Sequence, residues 1–65
     1  MKYSIRELRA RKNVTQKQAA QALGLSVSTY NAWERNISRV AIGKVAELAE
    51  YYGVKLEEID IRPNN

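Results

Sequence analysis

The sequence contains no cysteine and no histidine. Disulfides, zinc-finger ligation and Cys- or His-based nucleophilic pairs are therefore excluded, and most metal sites with them. A chain of 65 residues lies near the lower limit for folding without such staples, so an apolar core must carry the fold. The lack of cysteine leaves the redox compartment open. No apolar run approaches the roughly 18–20 residues of a membrane span. Residues 1–4 lead straight into a polar amphipathic segment without the pattern of a secretory signal. The expectation is a soluble intracellular protein. No phosphate-cradling glycine loop is present and the carboxylates are scattered, so no catalytic constellation can be assembled. An enzyme is not expected, nor is a cofactor, a metal or a small-molecule ligand.

What is present is uneven charge. Residues 1–44 carry nine basic side chains against Glu7 and Glu34, a net of +7; residues 45–65 carry two against five, a net of −3. A basic front and an acidic back suit a module that presents one side to a polyanion, although a solvated surface with uneven charge fits the count equally well.

The most informative stretch is residues 15–34, TQKQAAQALGLSVSTYNAWE. Thr15 with Gln18 has the spacing of a capping box. Ala19, Ala20 and Ala22 keep the following helix slim, and Gly24 supplies a left-handed helix end. Leu25 plugs the bend, Ser26 caps the next helix, and Tyr30 with Trp33 gives that helix one inward stripe. Two short helices joined by such a bend form a helix-turn-helix, whose second helix can enter the DNA major groove. Base stacking by Tyr30 and Trp33 is the lesser alternative to core packing for these two rings.

The pattern predicts five helices and no strand: residues 4–12, 16–23, 27–35, 41–52 and 56–60. Ser4 and Glu7 form a second capping box, Ile5 and Leu8 point inward, and Asn13 is a stop. Ile42, Val45, Leu48, Ala49 and Tyr52 make the apolar stripe of the fourth helix, and Gly53 ends it. Gly43 falls inside that helix at a cost of roughly 1 kcal/mol in propensity, explicable by close packing or a late start. Leu56 and Ile59 anchor the last helix. The organisation is one domain over residues 1–61 with a short flexible tail, 62–65, that contains Pro63.

With these residues assembled, the chain resembles the Cro/repressor (XRE) helix-turn-helix family over about residues 5–59. The matching pieces are Ile5-Arg6-Glu7-Leu8-Arg9, Thr15-Gln16, Ala20, Leu23-Gly24-Leu25-Ser26, Trp33-Glu34, Leu48-Ala49, Tyr52-Gly53-Val54 and Leu56-Glu57-Glu58-Ile59. The resemblance implies an all-α, compact five-helix, lambda-repressor-like domain. Three positions depart from the family pattern. Asn36 stands where Gly is usual and is expected to keep the left-handed turn, Val40 replaces a frequent Pro, and Lys55 replaces a capping Ser, Thr or Asp.

On the third helix Val27, Ser28, Asn31 and Ala32 face away from the stripe, at positions matching those the family uses to read bases. Asn31 suits adenine, Ser28 suits either kind of pair, and Val27 and Ala32 suit thymine methyls. Partial burial of Val27 and simple solvation of Asn31 are the plain alternatives. The resemblance implies that Gln16 contacts the phosphate backbone and buttresses the recognition helix. Lys17, Arg35, Ser38, Arg39 and Lys44 are further candidate phosphate contacts, with the N-terminus of the second helix beside them; a Lys or Arg on a helix rim is also of a type that merely solubilises a surface. The resemblance implies an ion pair between Arg9 and Glu34, and a dimer interface near Tyr51, Val54, Lys55 and Glu58.

The expected function is a sequence-specific, double-stranded DNA-binding transcriptional regulator, most simply a repressor. It would act as a homodimer, at least on DNA, over a palindromic operator, in the cytoplasm at the nucleoid. The start Met and single domain suit a small phage- or plasmid-type regulator, or equally the N-terminal part of a longer repressor. The alternative from another class is an antitoxin-like or other protein-interaction module with secondary DNA binding.

Overall fold

The computed structural model describes residues 1–62. Four α-helices follow one another: α1 (Ile5–Lys12), α2 (Gln16–Leu23), α3 (Val27–Arg35) and α4 (Ile42–Tyr52). Each of the first three begins where a short polar side chain satisfies a backbone N–H that the helix cannot. Ser4 Oγ accepts from Glu7 N at 3.1 Å while Glu7 Oε1 accepts from Ser4 N at 2.9 Å. Thr15 and Gln18 repeat this reciprocal pairing at 3.0 and 2.8 Å. Ser26 Oγ accepts from Thr29 N at 3.1 Å. Asn13, Gly24 and Gly53 close α1, α2 and α4 in the left-handed conformation.

Three expectations are corrected. The fifth helix is a single 3-10 turn, Leu56–Glu58. Lys55 gives this segment no oxygen with which to cap a first turn. Instead Glu58 Oε1 accepts from Lys55 N at 2.8 Å, closing the segment on itself. Leu56 is 38% exposed, so it is not an anchor, whereas Ile59 is fully buried. Next, Asn36 is extended (φ −158°) rather than left-handed. Its Oδ1 accepts from both Ser38 N (3.0 Å) and Ser38 Oγ (2.7 Å), a local turn that replaces the left-handed one. Finally, Ile42 is 61% exposed. The apolar stripe of α4 begins at Val45 because the first turn of the helix runs past the elements that cover the rest.

The core gathers Ile5 and Leu8 from α1, Ala19 and Ala20 from α2, Tyr30 from α3, and Val45, Leu48 and Ala49 from α4. Ile37 from the linker and Ile59 complete it. The two alanines carry no bulk, and this lets α3 pack closely across α2. Trp33 is half-buried against the same core. The chain ends are tied by one parallel backbone pair: Tyr3 N donates to Glu58 O at 2.7 Å and Asp60 N to Tyr3 O at 2.8 Å. Arg11 lies over the Tyr3 ring, 4.4 Å from its centroid. Of the tail expected over 62–65, Arg62 pairs with Asp60 at 2.7 Å, and 63–65 lie outside the described residues. Among the described residues, no helix is long and apolar enough to cross a membrane.

Candidate nucleic-acid interface

The bend between α2 and α3 is built from the backbone outward. Gly24, at φ +70°, reverses the chain, and Leu25 N then donates to Ala20 O at 2.8 Å. With Tyr30 fully buried beneath α3, the opposite side of that helix must face out. Val27 (44% exposed), Ser28 and Ala32 lie open to solvent. Asn31, expected beside them, is half-buried.

Asn31 is held by a line of side chains crossing three helices. Its Nδ2 donates to Gln16 Oε1 at 3.1 Å. Gln16 Nε2 donates in turn to Glu34 Oε1 at 2.9 Å. Arg9 closes the line from α1, with Nε 2.5 Å from Glu34 Oε2 and Nη2 3.4 Å from Glu34 Oε1. Arg9 Nη1 also donates to Val14 O at 3.1 Å, which fixes the α1–α2 connection. The bonds to Glu34 are charge-assisted, and the bond between Asn31 and Gln16 joins two neutral amides.

The electrostatics follow from that arrangement. Burial pushes the Glu34 carboxyl up, but hydrogen bonds from Arg9, Gln16 and Tyr30 outweigh it, and the group lies below its ordinary value. The hydrogen bond to Glu34 holds the Arg9 guanidinium above its ordinary value. Beneath them the Tyr30 and Tyr52 hydroxyls are 2.6 Å apart. Burial, with the bonds to Tyr52 and Glu34, pushes the Tyr30 phenol far up; burial also raises Tyr52.

These residues form one wall system of an open cleft lined by Arg6, Arg9, Gln16, Asn31, Glu34 and Arg35. The cleft joins five of the residues singled out from sequence: Arg9, Gln16, Asn31, Glu34 and Arg35. Arg6 was not singled out. Its signal was its place three residues before Arg9, which puts both on one face of α1. Lys17 and Arg39 are exposed elsewhere on the surface and do not line the cleft. Lys44 pairs with Glu47 at 3.5 Å, and the Ser38 hydroxyl donates to Asn36.

The expected dimer positions have partners within the chain. Tyr51 and Val54 are half-buried against the core. The Tyr51 ring lies 4.9 Å from Lys12 Nζ and 4.8 Å from the Tyr52 ring. Glu58 is occupied in closing its turn, and Lys55 is exposed. A second depression, lined by Ala22, Leu23, Glu47, Glu50 and Tyr51, lies beside them.

Comparison with known proteins agrees with this architecture. A helix-turn-helix family model matches residues 5–59. The cryptic phage CTXphi transcriptional repressor RstR of Vibrio cholerae is 33% identical over 55 residues, which cover 85% of this chain. The chain spans about half the length of that relative, the match covering 50% of it. No solved structure matches the chain. On the family match, and on the order of capped helices, left-handed bend and outward-facing α3, the chain belongs to the helix-turn-helix family of Cro/repressor (XRE) type.

Proposed function

We propose that residues 1–61 form the DNA-binding domain of a transcriptional regulator, acting as a repressor. In this reading α3 enters the major groove, where Val27, Ser28, Asn31 and Ala32 meet the bases. Gln16, Lys17, Arg35, Ser38, Arg39 and Lys44 hold the phosphates around it. The observation that carries the reading is the outward face of α3. Val27, Ser28 and Ala32 on it are small, uncharged and exposed beside an arginine-lined cleft that Asn31 also lines, in a chain of this family. Such a face contributes few base contacts, so affinity comes mostly from the surrounding cations and specificity from a handful of atoms.

A dimer places two recognition helices about 34 Å apart on one side of a palindromic operator. The surface around Tyr51, Val54, Lys55 and Glu58 is the proposed interface. Occlusion of a promoter at the nucleoid in the cytoplasm is the mode of repression, in keeping with the relative named as a transcriptional repressor.

Selection of bound duplexes from a random pool, repeated at two salt concentrations, tests this directly. An enriched palindrome is the expected result, with log K falling against log salt by roughly 0.9 per phosphate contact. Weak, sequence-blind binding overturns it in favour of an antitoxin-like or other protein-interaction module.

A further inference from the structure

We infer that Tyr52 is a positioning residue for DNA discrimination: its hydroxyl ties α3 to α4 through Tyr30 and so fixes the roll of α3 against the rest of the domain. The inference rests on the reading above in which the outward face of α3 meets the bases.

α3 packs chiefly on α2, and side chains supply links to the other two helices. Arg9 reaches Glu34 from α1. Tyr52 reaches Tyr30 from α4, the two hydroxyl oxygens 2.6 Å apart. Proton count gives the second contact a direction. A phenol has one O–H to donate, and an ionised carboxylate only accepts. Tyr30 hydrogen-bonds to Glu34, so its single proton is committed there. Its oxygen must then accept from Tyr52. Burial raises both phenols, which keeps both protons in place at neutral pH. The line therefore runs one way, from Tyr52 on α4 through Tyr30 to Glu34.

Stability alone does not account for the pair. Tyr30 is fully buried and Tyr52 packs half-buried against the same core, so two phenylalanines would fill the same space. Replacing both partners of a hydrogen bond by apolar groups of the same shape is nearly neutral. What the hydroxyls add is direction. The Tyr30 oxygen lies at the far end of a long side chain, so holding it resists rotation of α3 about its own axis. Ser28 and Ala32 stand exposed on the opposite side of that helix. With side-chain tips about 5–6 Å from the axis, a roll of about 10° carries them roughly 1 Å. A binding constellation tolerates about half that. Contacts from long, flexible cations to phosphate tolerate more and carry no sequence information. Loss of the Tyr52 hydroxyl is therefore felt as lost discrimination rather than as lost affinity for all DNA. Arg9 is not equivalent, because Glu34 accepts from Gln16 and Tyr30 as well, whereas Tyr52 supplies the step from Tyr30 to α4.

The test uses Tyr52→Phe, which removes the hydroxyl and keeps the ring. Affinity is measured for the operator enriched from the random pool and for a scrambled duplex of equal length, at a temperature where the variant is fully folded. Operator affinity is expected to fall roughly two- to tenfold, the size of one hydrogen bond, while the scrambled duplex changes little. Trp33, the one tryptophan of the chain, rides half-buried on α3, and its quenching by acrylamide reads the seat of the helix without DNA. Tyr52→Phe is expected to raise that quenching. A merely structural hydroxyl lowers the melting temperature and leaves the operator-to-scrambled ratio of the folded protein as it was; that outcome overturns the positioning role. A narrower ratio with unchanged quenching overturns it too, since the loss would not come from a shift of α3. If Tyr52→Phe melts too low, Tyr30→Phe breaks the same pair from the α3 side and is read in the same way. If no operator is enriched, or the wild type binds both duplexes alike, the base-reading role of α3 itself falls, and the positioning role falls with it.

Discussion

Arg9 on α1 and Glu34 at the end of α3 meet through two nitrogen–oxygen contacts, 2.5 and 3.4 Å, with the Glu34 side chain only 5% exposed. The pair ties α1 directly to the end of α3. Because Glu34 is sheltered, removing Arg9 takes away the ion pair that offsets the burial of its carboxylate.

Arg9→Ala is therefore expected to lower stability by about 2–4 kcal/mol. For a domain of this size that is a fall of roughly 10–25 °C in melting temperature. DNA affinity, measured where the variant is still folded, should change little, because Arg9 acts through Glu34. A variant that melts like the wild type yet no longer binds DNA would reverse this assignment. Thermal melts and a binding titration at low temperature decide between the two.

The same carboxylate makes stability depend on pH. Glu34 lies below its ordinary value of 4.5 in the folded protein, so between the two values the unfolded chain binds the extra proton. Stability from Glu34 is then complete above the ordinary value and is lost as pH falls through the folded value. Urea denaturation of wild type and Glu34→Gln from pH 7 to pH 3 isolates the contribution. The wild type should be the more stable above the ordinary carboxylate range, and the gap should narrow as the pH falls below it. A gap that stays constant would mean that the charge on Glu34 contributes nothing.

Gly43 gives a prediction of the opposite sign. Close packing does not explain it, since a Cβ built there meets nothing within 4 Å, and its backbone is ordinary helix. Gly43→Ala should stabilise α4 by about 0.5–1 kcal/mol, read as a higher denaturation midpoint. Gly24 and Gly53 have equally open surroundings but sit at φ +70°, where a side chain crowds the backbone. Alanine at either should cost about 1–2 kcal/mol.

The contrast among these glycines shows what the sequence carried and what it did not. Local rules were enough for the capping boxes at Ser4 and Thr15, the left-handed ends at Gly24 and Gly53, and the inward side of α3 at Tyr30. Each depends on residues within a turn or two of one another. Ile37 was not marked as core because it is a lone apolar residue in a polar linker, and only the Asx turn at Asn36 aims it inward. Ile42 was misplaced because periodicity gives the face of a helix but not how far its neighbours extend along it. The line from Asn31 to Arg9 depends on three helices meeting, so spacing along the chain does not reveal it; the family resemblance supplied the Arg9–Glu34 pair and the buttressing place of Gln16.

Arg6 bears on how much of the affinity is electrostatic. It lines the cleft with Arg9 and Arg35, and Arg9 is engaged with Glu34. If a DNA phosphate enters this cleft, Arg6→Ala removes one counterion-releasing contact. The slope of log K against log salt should then become shallower by roughly 0.9, with affinity falling by one factor on every operator variant. Arg35→Ala should do the same. Neither should alter which base is preferred at any position, because contacts to phosphate carry no sequence information directly. Asn31→Ala should show the reverse, relaxing one position and leaving the slope alone. Equilibrium titrations at four or five salt concentrations separate the two patterns. An unchanged slope for Arg6→Ala would make Arg6 a solvated surface cation and leave the phosphates to the rim of α2 and α3.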